Sequence, residues 1–137
     1  MKEKMNNLLN EWQERLGLQD WVIVLCYNCK PKDLKLENCN AETEWVVSIK
    51  NATIRMLDKK YDTDGTLKYD IEQALVHELL HIKFGIFDIN TYDYAGTVVD
   101  ELRHQLIDDL ARALVMAKRK QTKRTLNCEK VINKGDD

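Results

Sequence analysis

The sequence predicts an α+β fold in the order helix, strands, helix, helix. Three observations predict it. Apolar residues recur at helical spacing near both ends of the chain, three β-rich runs lie between residues 21 and 57, and a capped helix follows them. A chain of 137 residues has room for one ordinary domain. We therefore expect a single domain over residues 1–120 and a polar tail over residues 121–137.

The first helix is expected over residues 3–16, and Gly17 is a suitable residue to end it. The apolar residues that predict this helix are Met5, Leu8, Leu9, Trp12 and Leu16.

A small sheet of three or more strands should follow. Residues 21–27, WVIVLCY, are rich in β-forming residues and too few for a typical helix. Residues 30–40 contain the only proline and predict a loop. Two more strands are expected at residues 42–49 and 52–57, separated by Lys50 and Asn51.

The second helix should begin at about Thr66 or Asp70 and end at Phe84. Asp70 and Gln73 have the spacing of a capping box, and Gly85 is a natural stop.

A long final helix is expected over residues 97–120, with a frayed polar tail from Gln121. Its predicted apolar stripe comprises Leu102, Leu106, Leu110, Ala113 and Ala117.

Charge and hydropathy limit the possible partners. The formal net charge of −2 makes nucleic acid an unlikely partner, since dedicated binders usually have a basic excess. No apolar run approaches the ~20 residues that cross a bilayer, and no secretory signal is evident, so we expect a cytoplasmic protein without a membrane partner. We interpret one basic cluster as complementing a helix dipole rather than contacting nucleic acid. It comprises Lys118, Arg119, Lys120, Lys123 and Arg124.

The four cysteines give no clear metal site. Cys26 and Cys29 form a C-x-x-C, but Cys39 and Cys128 are isolated and do not supply a second pair of zinc ligands. Reduced thiols are the simplest interpretation.

The chemistry is concentrated in residues 77–81, HELLH. On a helix, His77 and His81 lie one turn apart on one face and can bind one metal ion. Zinc, one ion per chain, is the expected metal because neutral imidazole suits it. Glu78 lies about 100° around the helix, where it can reach a metal-activated water as a general base. This is the H-E-x-x-H arrangement of zinc metallopeptidases.

A third ligand must come from elsewhere in the chain. Phe84 and Phe87 occupy the positions where metzincins have Gly and His, so that subclass is excluded. The candidates in the following helix are Asp100, Glu101, His104 and Asp108.

The chain resembles the small zincin-like metallopeptidases of phage and prophage regions, which are related to minimal gluzincins. The resemblance covers roughly residues 20–117. It lies in ALVHELLHIKF, in the preceding strand NATIRML and in the following E-x-x-H-x-x-I-x-x-LARAL helix. It implies a zincin-like fold and a third ligand shortly before I-x-x-LA. In this chain that position holds His104, where the relatives commonly have Glu. We predict His104 as the third ligand, with Glu101 as the alternative.

The expected function is hydrolysis of peptide bonds in a peptide or protein substrate. Tyr92 and Tyr94 could stabilise an oxyanion, although such tyrosines more often cover the edge of a core. The alternative function is a non-catalytic, zinc-stabilised interaction module that regulates another phage or host protein. A peptidase acting on DNA-associated proteins is a third possibility, but such enzymes usually have a separate DNA-binding module. The sequence does not determine the oligomeric state.

Overall fold

The computed structural model describes residues 1–62, 69–85 and 97–134, with side chains described up to residue 130. The architecture is α+β, as predicted, with three helices around a small mixed sheet. In chain order, the elements are α1 (Lys2–Arg15), β1 (Val22–Cys29), β2 (Ala41–Val46), β3 (Asn51–Leu57), α2 (Ile71–Phe84) and α3 (Val98–Lys134). Short 3-10 turns occupy Pro31–Asp33, Val47–Ile49 and Lys59–Tyr61. In the described part of the chain, no helix is long and apolar enough to cross a membrane.

The sheet has the strand order β1-β3-β2. β1 pairs with β3 in parallel, and β2 pairs with β3 antiparallel, with Thr43 opposite Ile54 and Trp45 opposite Ala52. Residues directly opposite each other share a face of the sheet. Ile54 and Ala52 are buried in the core, so Thr43 and Trp45 lie on the side of the sheet that packs against the helices.

The core lies between this sheet face and the three helices. α1 contributes Met5, Leu9 and Trp12. The HELLH helix, α2, is buried over most of its circumference, and its buried apolar residues are Leu75, Val76, Leu79, Leu80 and Ile82. This burial explains why leucine occupies both positions between the histidines. Leu79 and Leu80 fix α2 to the core and leave both histidines at the surface of the packed layer.

Helix α2 begins and ends where the sequence predicts, but the reason for glycine at its C-terminal end is different from the one expected. Of the predicted capping box, the Asp70 half is confirmed: Asp70 is the N-cap, and its Oδ1 accepts a hydrogen bond from the Gln73 N–H at 3.1 Å. The reciprocal hydrogen bond from the Gln73 side chain is not among those of the described residues. Gly85 ends the helix with φ −60°, which any residue can adopt. A Cβ there would lie 2.5 Å from Trp45 Nε1. Gly85 is therefore needed for the close approach of Trp45 rather than for a left-handed cap.

Two predictions for α3 were wrong. The predicted stripe is largely exposed, and Leu102 and Leu106 are 59% and 55% exposed. The buried residues described in α3 are instead Ile107, Ala111 and Val115. They are buried because they lie on the face of α3 that packs against α2. The helix also continues past Lys120 to Lys134. From Val98 to Lys134 the sequence contains no proline or glycine that would end the helix earlier.

Smaller differences concern the strands and the undescribed segments. β2 ends at Val46, three residues before the predicted end, because the chain enters a 3-10 turn. Tyr92, Tyr94 and the alternative helix start at Thr66 lie outside the described residues.

Candidate metal centre

Three histidines from two helices meet at one point on the surface of the packed layer. The Nε2 atoms of His77 and His81 are 3.0 Å apart, as expected from adjacent turns of α2. His104 comes from α3, and its ring centroid lies 5.0 Å from that of His81 and 6.3 Å from that of His77. One ring nitrogen from each histidine lies within 4.8 Å of the other two. Ile107, one turn after His104, is buried in the core and fixes this part of α3 beside α2.

The imidazole of His81 is largely enclosed by its neighbours. Burial, followed by the neighbouring His77 and His104, lowers the pKa of His81 to about 3. Trp45 stacks against the ring of His81, with centroids 6.4 Å apart and planes at 19°. His81 is therefore neutral at physiological pH and presents a nitrogen lone pair, the form of imidazole that binds metals.

One carboxylate is hydrogen-bonded to His77, and a second lies near His104. His77 Nδ1 lies 2.7 Å from Asp108 Oδ1, and since an ionised carboxylate only accepts, Nδ1–H is the donor. This leaves the lone pair on Nε2, the atom that faces His81. His104 Nε2 lies 3.5 Å from Asp100 Oδ1.

The alternative ligand Glu101 is not part of this group. Its side chain is exposed, and among the described residues the group of side chains close enough to hold one metal ion consists of the three histidines. The structure thus brings together His77, His81 and His104, and it leaves Glu101 outside.

Glu78 is a buried carboxyl group next to the histidines. Its residue is only 5% exposed, and the Thr43 hydroxyl donates a hydrogen bond to Oε2. Burial raises the pKa of Glu78 to about 7, the hydrogen bond from Thr43 opposes that rise, and the charges of Glu42 and Asp108 add to it. Thr43 can reach Glu78 because β2 places alternate side chains against α2.

A cleft of about 510 Å³ opens beside Glu78 and His77. Several polar groups line it, including Asn40, Gln73 and Arg112. The hydroxyl of Tyr69, on the same cleft, donates a long hydrogen bond of 3.4 Å to the Asn40 carbonyl. The cleft gives a bound molecule direct access to the buried carboxyl group.

The donor set fits a zinc ion. Two nitrogen ligands of a tetrahedral zinc ion lie about 3.3 Å apart, given zinc–nitrogen bonds of about 2.0–2.1 Å. The 3.0 Å separation of the His77 and His81 nitrogens is close to this value. Of the three histidines, His104 would have the most freedom to adjust to an ion, since 47% of its side chain is exposed. An ion held by three protein ligands would keep a fourth position open, which is typical of catalytic rather than structural zinc.

Comparison with known proteins identifies a relative of this chain. Over 93 residues, the chain is 33% identical to the uncharacterized protein aq_aa15 of Aquifex aeolicus (strain VF5). The match covers 68% of this chain and 73% of the Aquifex protein. The chain belongs to the family of aq_aa15. No protein-family profile matches the chain, and no solved structure matches it. The name of aq_aa15 states no activity, so the evidence for the chemistry of the site is the residues themselves.

The sequence did not reveal three contributors to the site: Thr43, Trp45 and the pairing of Asp108 with His77. Thr43 and Trp45 lie in a β-rich run whose face toward α2 follows only from the register with β3. Their alternate spacing in a strand was the one signal available, and it does not identify what they contact.

Proposed function

We propose that the protein is a zinc-dependent metallopeptidase that binds one zinc ion through His77, His81 and His104. The observation that carries the proposal is the buried carboxyl group of Glu78 beside three converging imidazoles. Zinc, when bound, supplies a Lewis acid that activates water and polarises a peptide carbonyl. The resemblance of HELLH and its flanking segments to phage-encoded zincins supports the same reaction.

Glu78 has the position and surroundings of a general base. Thr43 holds Oε2, which fixes the rotamer of the carboxyl group at the wall of the cleft. From there, Glu78 can accept a proton from water and return it to the nitrogen of the leaving amine. Asp108 holds His77 in the tautomer that directs Nε2 toward the shared centre.

The cleft fits a peptide or protein substrate. Its polar lining can form hydrogen bonds with a peptide backbone, and Arg112 provides a positive charge at its edge. We place the enzyme in the cytoplasm, because all four cysteines are free thiols, the state that a reducing compartment maintains.

A non-catalytic, zinc-stabilised interaction module is the second candidate. The burial of Glu78 argues for the enzyme. A carboxyl group with a raised pKa costs folding free energy at neutral pH, and a purely structural metal site has no use for it. Groups retained in such surroundings are candidates for catalysis.

The test combines metal analysis of the purified protein with digestion of a broad peptide library. We expect about one zinc per chain and cleavage by the wild type. Glu78→Gln should retain the zinc and lose about 10²–10⁴-fold in rate, because an amide cannot accept the proton. Glu14→Gln, an exposed position on α1, is the matched control and should cleave normally.

Two results would contradict the proposal. Wild-type turnover by Glu78→Gln would exclude Glu78 as the base. A zinc-loaded wild type that cleaves nothing in the library would favour the interaction module.

A further inference from the structure

The last part of α3 extends beyond the folded body. Val115 is the last buried residue of α3 among those whose side chains the structure describes, and from Met116 to Lys130 every side chain except that of Lys118 is exposed. The backbone nevertheless remains helical to Lys134. The 19 residues from Met116 to Lys134 span about 28 Å at the α-helical rise of about 1.5 Å per residue. Up to Lys130, where the described side chains end, no buried apolar residue accounts for this extension.

Charge is divided unevenly between the body and this extension. Residues 1–115 contain 14 basic and 20 acidic residues, a formal charge of −6. Residues 116–134 contain seven basic residues and one acidic residue, a formal charge of +6. The whole-chain value of −2 conceals this asymmetry. The earlier expectation that nucleic acid is an unlikely partner was based on that whole-chain value.

Four cations of the extension form a stripe on one face of α3. The stripe begins at Lys120. Three further cations, Lys123, Arg124 and Lys130, follow it by three, four and ten residues, which places all four on one side of a helix. We call these four residues the basic stripe. All four are exposed. They form no ion pair with any residue that the structure describes.

The two cations that precede the stripe have a different role. Lys118 binds Glu72, and its Nζ lies 3.0 Å from Glu11 Oε2. Arg119 donates two hydrogen bonds to Asp70, at 2.8 and 3.1 Å. These ion pairs attach the root of the extension to the body, so the stripe begins immediately after a fixed point.

The helix dipole does not explain the stripe. Its effect falls off within the last turn of a helix, and α3 ends at Lys134. Lys120, Lys123 and Arg124 lie ten or more residues before that end. The earlier interpretation, in which these residues complement a dipole near residue 120, was therefore wrong.

The stripe also has an energetic cost in the absence of a partner. Lys120 faces Lys123 and Arg124 at spacings of three and four residues, where like charges destabilise a helix by about 0.2–0.5 kcal/mol per pair. Helical segments without packing are already marginal in water. A partner that neutralises the stripe would remove this repulsion.

The remaining surface of the extension indicates what kind of polyanion fits. The other positions include Gln121, Thr122 and Thr125. The two exposed large apolar residues that the structure describes in the extension are Met116 and Leu126, and helical spacing places them on or beside the side of the basic stripe. A helix that lies in a membrane surface needs an apolar face opposite its basic one, and the part of this segment with described side chains has none. A free helix about 10–12 Å in diameter fits the major groove of DNA, which is about 12 Å wide.

We propose that the basic stripe binds the phosphates of double-stranded DNA, with the extension of α3 lying in the major groove. Asn127, in the middle of the stripe, faces the same side and can contact base edges. The binding is mainly electrostatic and independent of sequence. It does not depend on the peptidase activity proposed above.

The test is fluorescence anisotropy of the full chain with two unrelated labelled 20-base-pair duplexes, over a range of salt concentrations. We expect a Kd on the order of 10⁻⁴–10⁻⁶ M and a slope of about −3.6 in log K against log salt, from four neutralised phosphates. Replacing the stripe's four cations with Gln should weaken binding more than about tenfold and bring the slope close to zero. Circular dichroism should show a gain of helix when the wild type binds DNA.

A control with the same net charge separates the stripe from overall charge. It replaces four exposed lysines of the body with Gln: Lys2, Lys4, Lys32 and Lys59. This control should bind DNA as the wild type does. Neither variant should lose thermal stability, because all eight positions are exposed and removing the repulsion among the stripe's cations does not destabilise the helix. Equal losses in the two variants would overturn the proposal, as would the absence of wild-type binding at 50 mM salt. Equally tight binding to polyglutamate or to anionic vesicles would overturn the assignment to DNA.

Discussion

Asp108→Asn provides a sharp test of how the metal centre is held. Asp108 accepts the Nδ1–H of His77 at 2.7 Å and so fixes the tautomer that directs Nε2 toward the proposed metal position. Loss of such a partner typically lowers metal affinity by about 10–100-fold. The Asp108 side chain is 55% exposed, so solvent screens its charge and we expect the lower end, about tenfold or about 1.4 kcal/mol.

The assay is competition for zinc between the protein and a chromophoric chelator at neutral pH. Asp109→Asn makes the same change of charge at the next residue, which is exposed and 3.7 Å from Arg112. This control should retain wild-type affinity. The reasoning is refuted if Asp108→Asn binds zinc as tightly as the wild type, or if both variants lose the same amount.

The remaining predictions concern the third ligand and the anchoring of α3. His104→Ala should weaken zinc binding by at least about tenfold and Glu101→Ala should not; the same competition assay decides, and the reverse pattern would favour Glu101. Glu72→Gln should cost about 1–3 kcal/mol of unfolding free energy at neutral pH, because Glu72 accepts from Lys118 and from Trp12 Nε1. Although burial opposes it, hydrogen bonds from these two residues lower the pKa of Glu72 below its ordinary 4.5. The stabilisation is therefore present above pH 4.5 and is lost as pH falls through the lowered pKa. Urea unfolding of both proteins from pH 7 to pH 3 checks this, and a difference that grows toward low pH would contradict it.

Local spacing made the α2 half of the candidate centre predictable. Residues four apart lie on one helix face wherever the helix is placed, so HELLH fixed the relation of His77, Glu78 and His81 before any packing was known. The cap at Asp70 was predictable for the same reason, since it depends on a hydrogen bond to a backbone group three residues away. The order of helices and strands also followed from local periodicity.

Contacts between elements required the tertiary structure. The sequence allowed Asp100, Glu101, His104 or Asp108 to complete the centre, and the docking of α3 through Ile107 placed His104 beside α2. The register of β2 on β3 directed Thr43 to Glu78.

The length and buried face of α3 show the same limit. Several faces of this helix carry apolar residues. The face that packs against α2 includes Ala111 and Val115, whereas Leu102 and Leu106 are exposed. The sequence alone determined the chemistry that one helix carries, because helical periodicity is a local property. Only the tertiary structure decided which groups from other elements join it, because those distances depend on how separate surfaces pack.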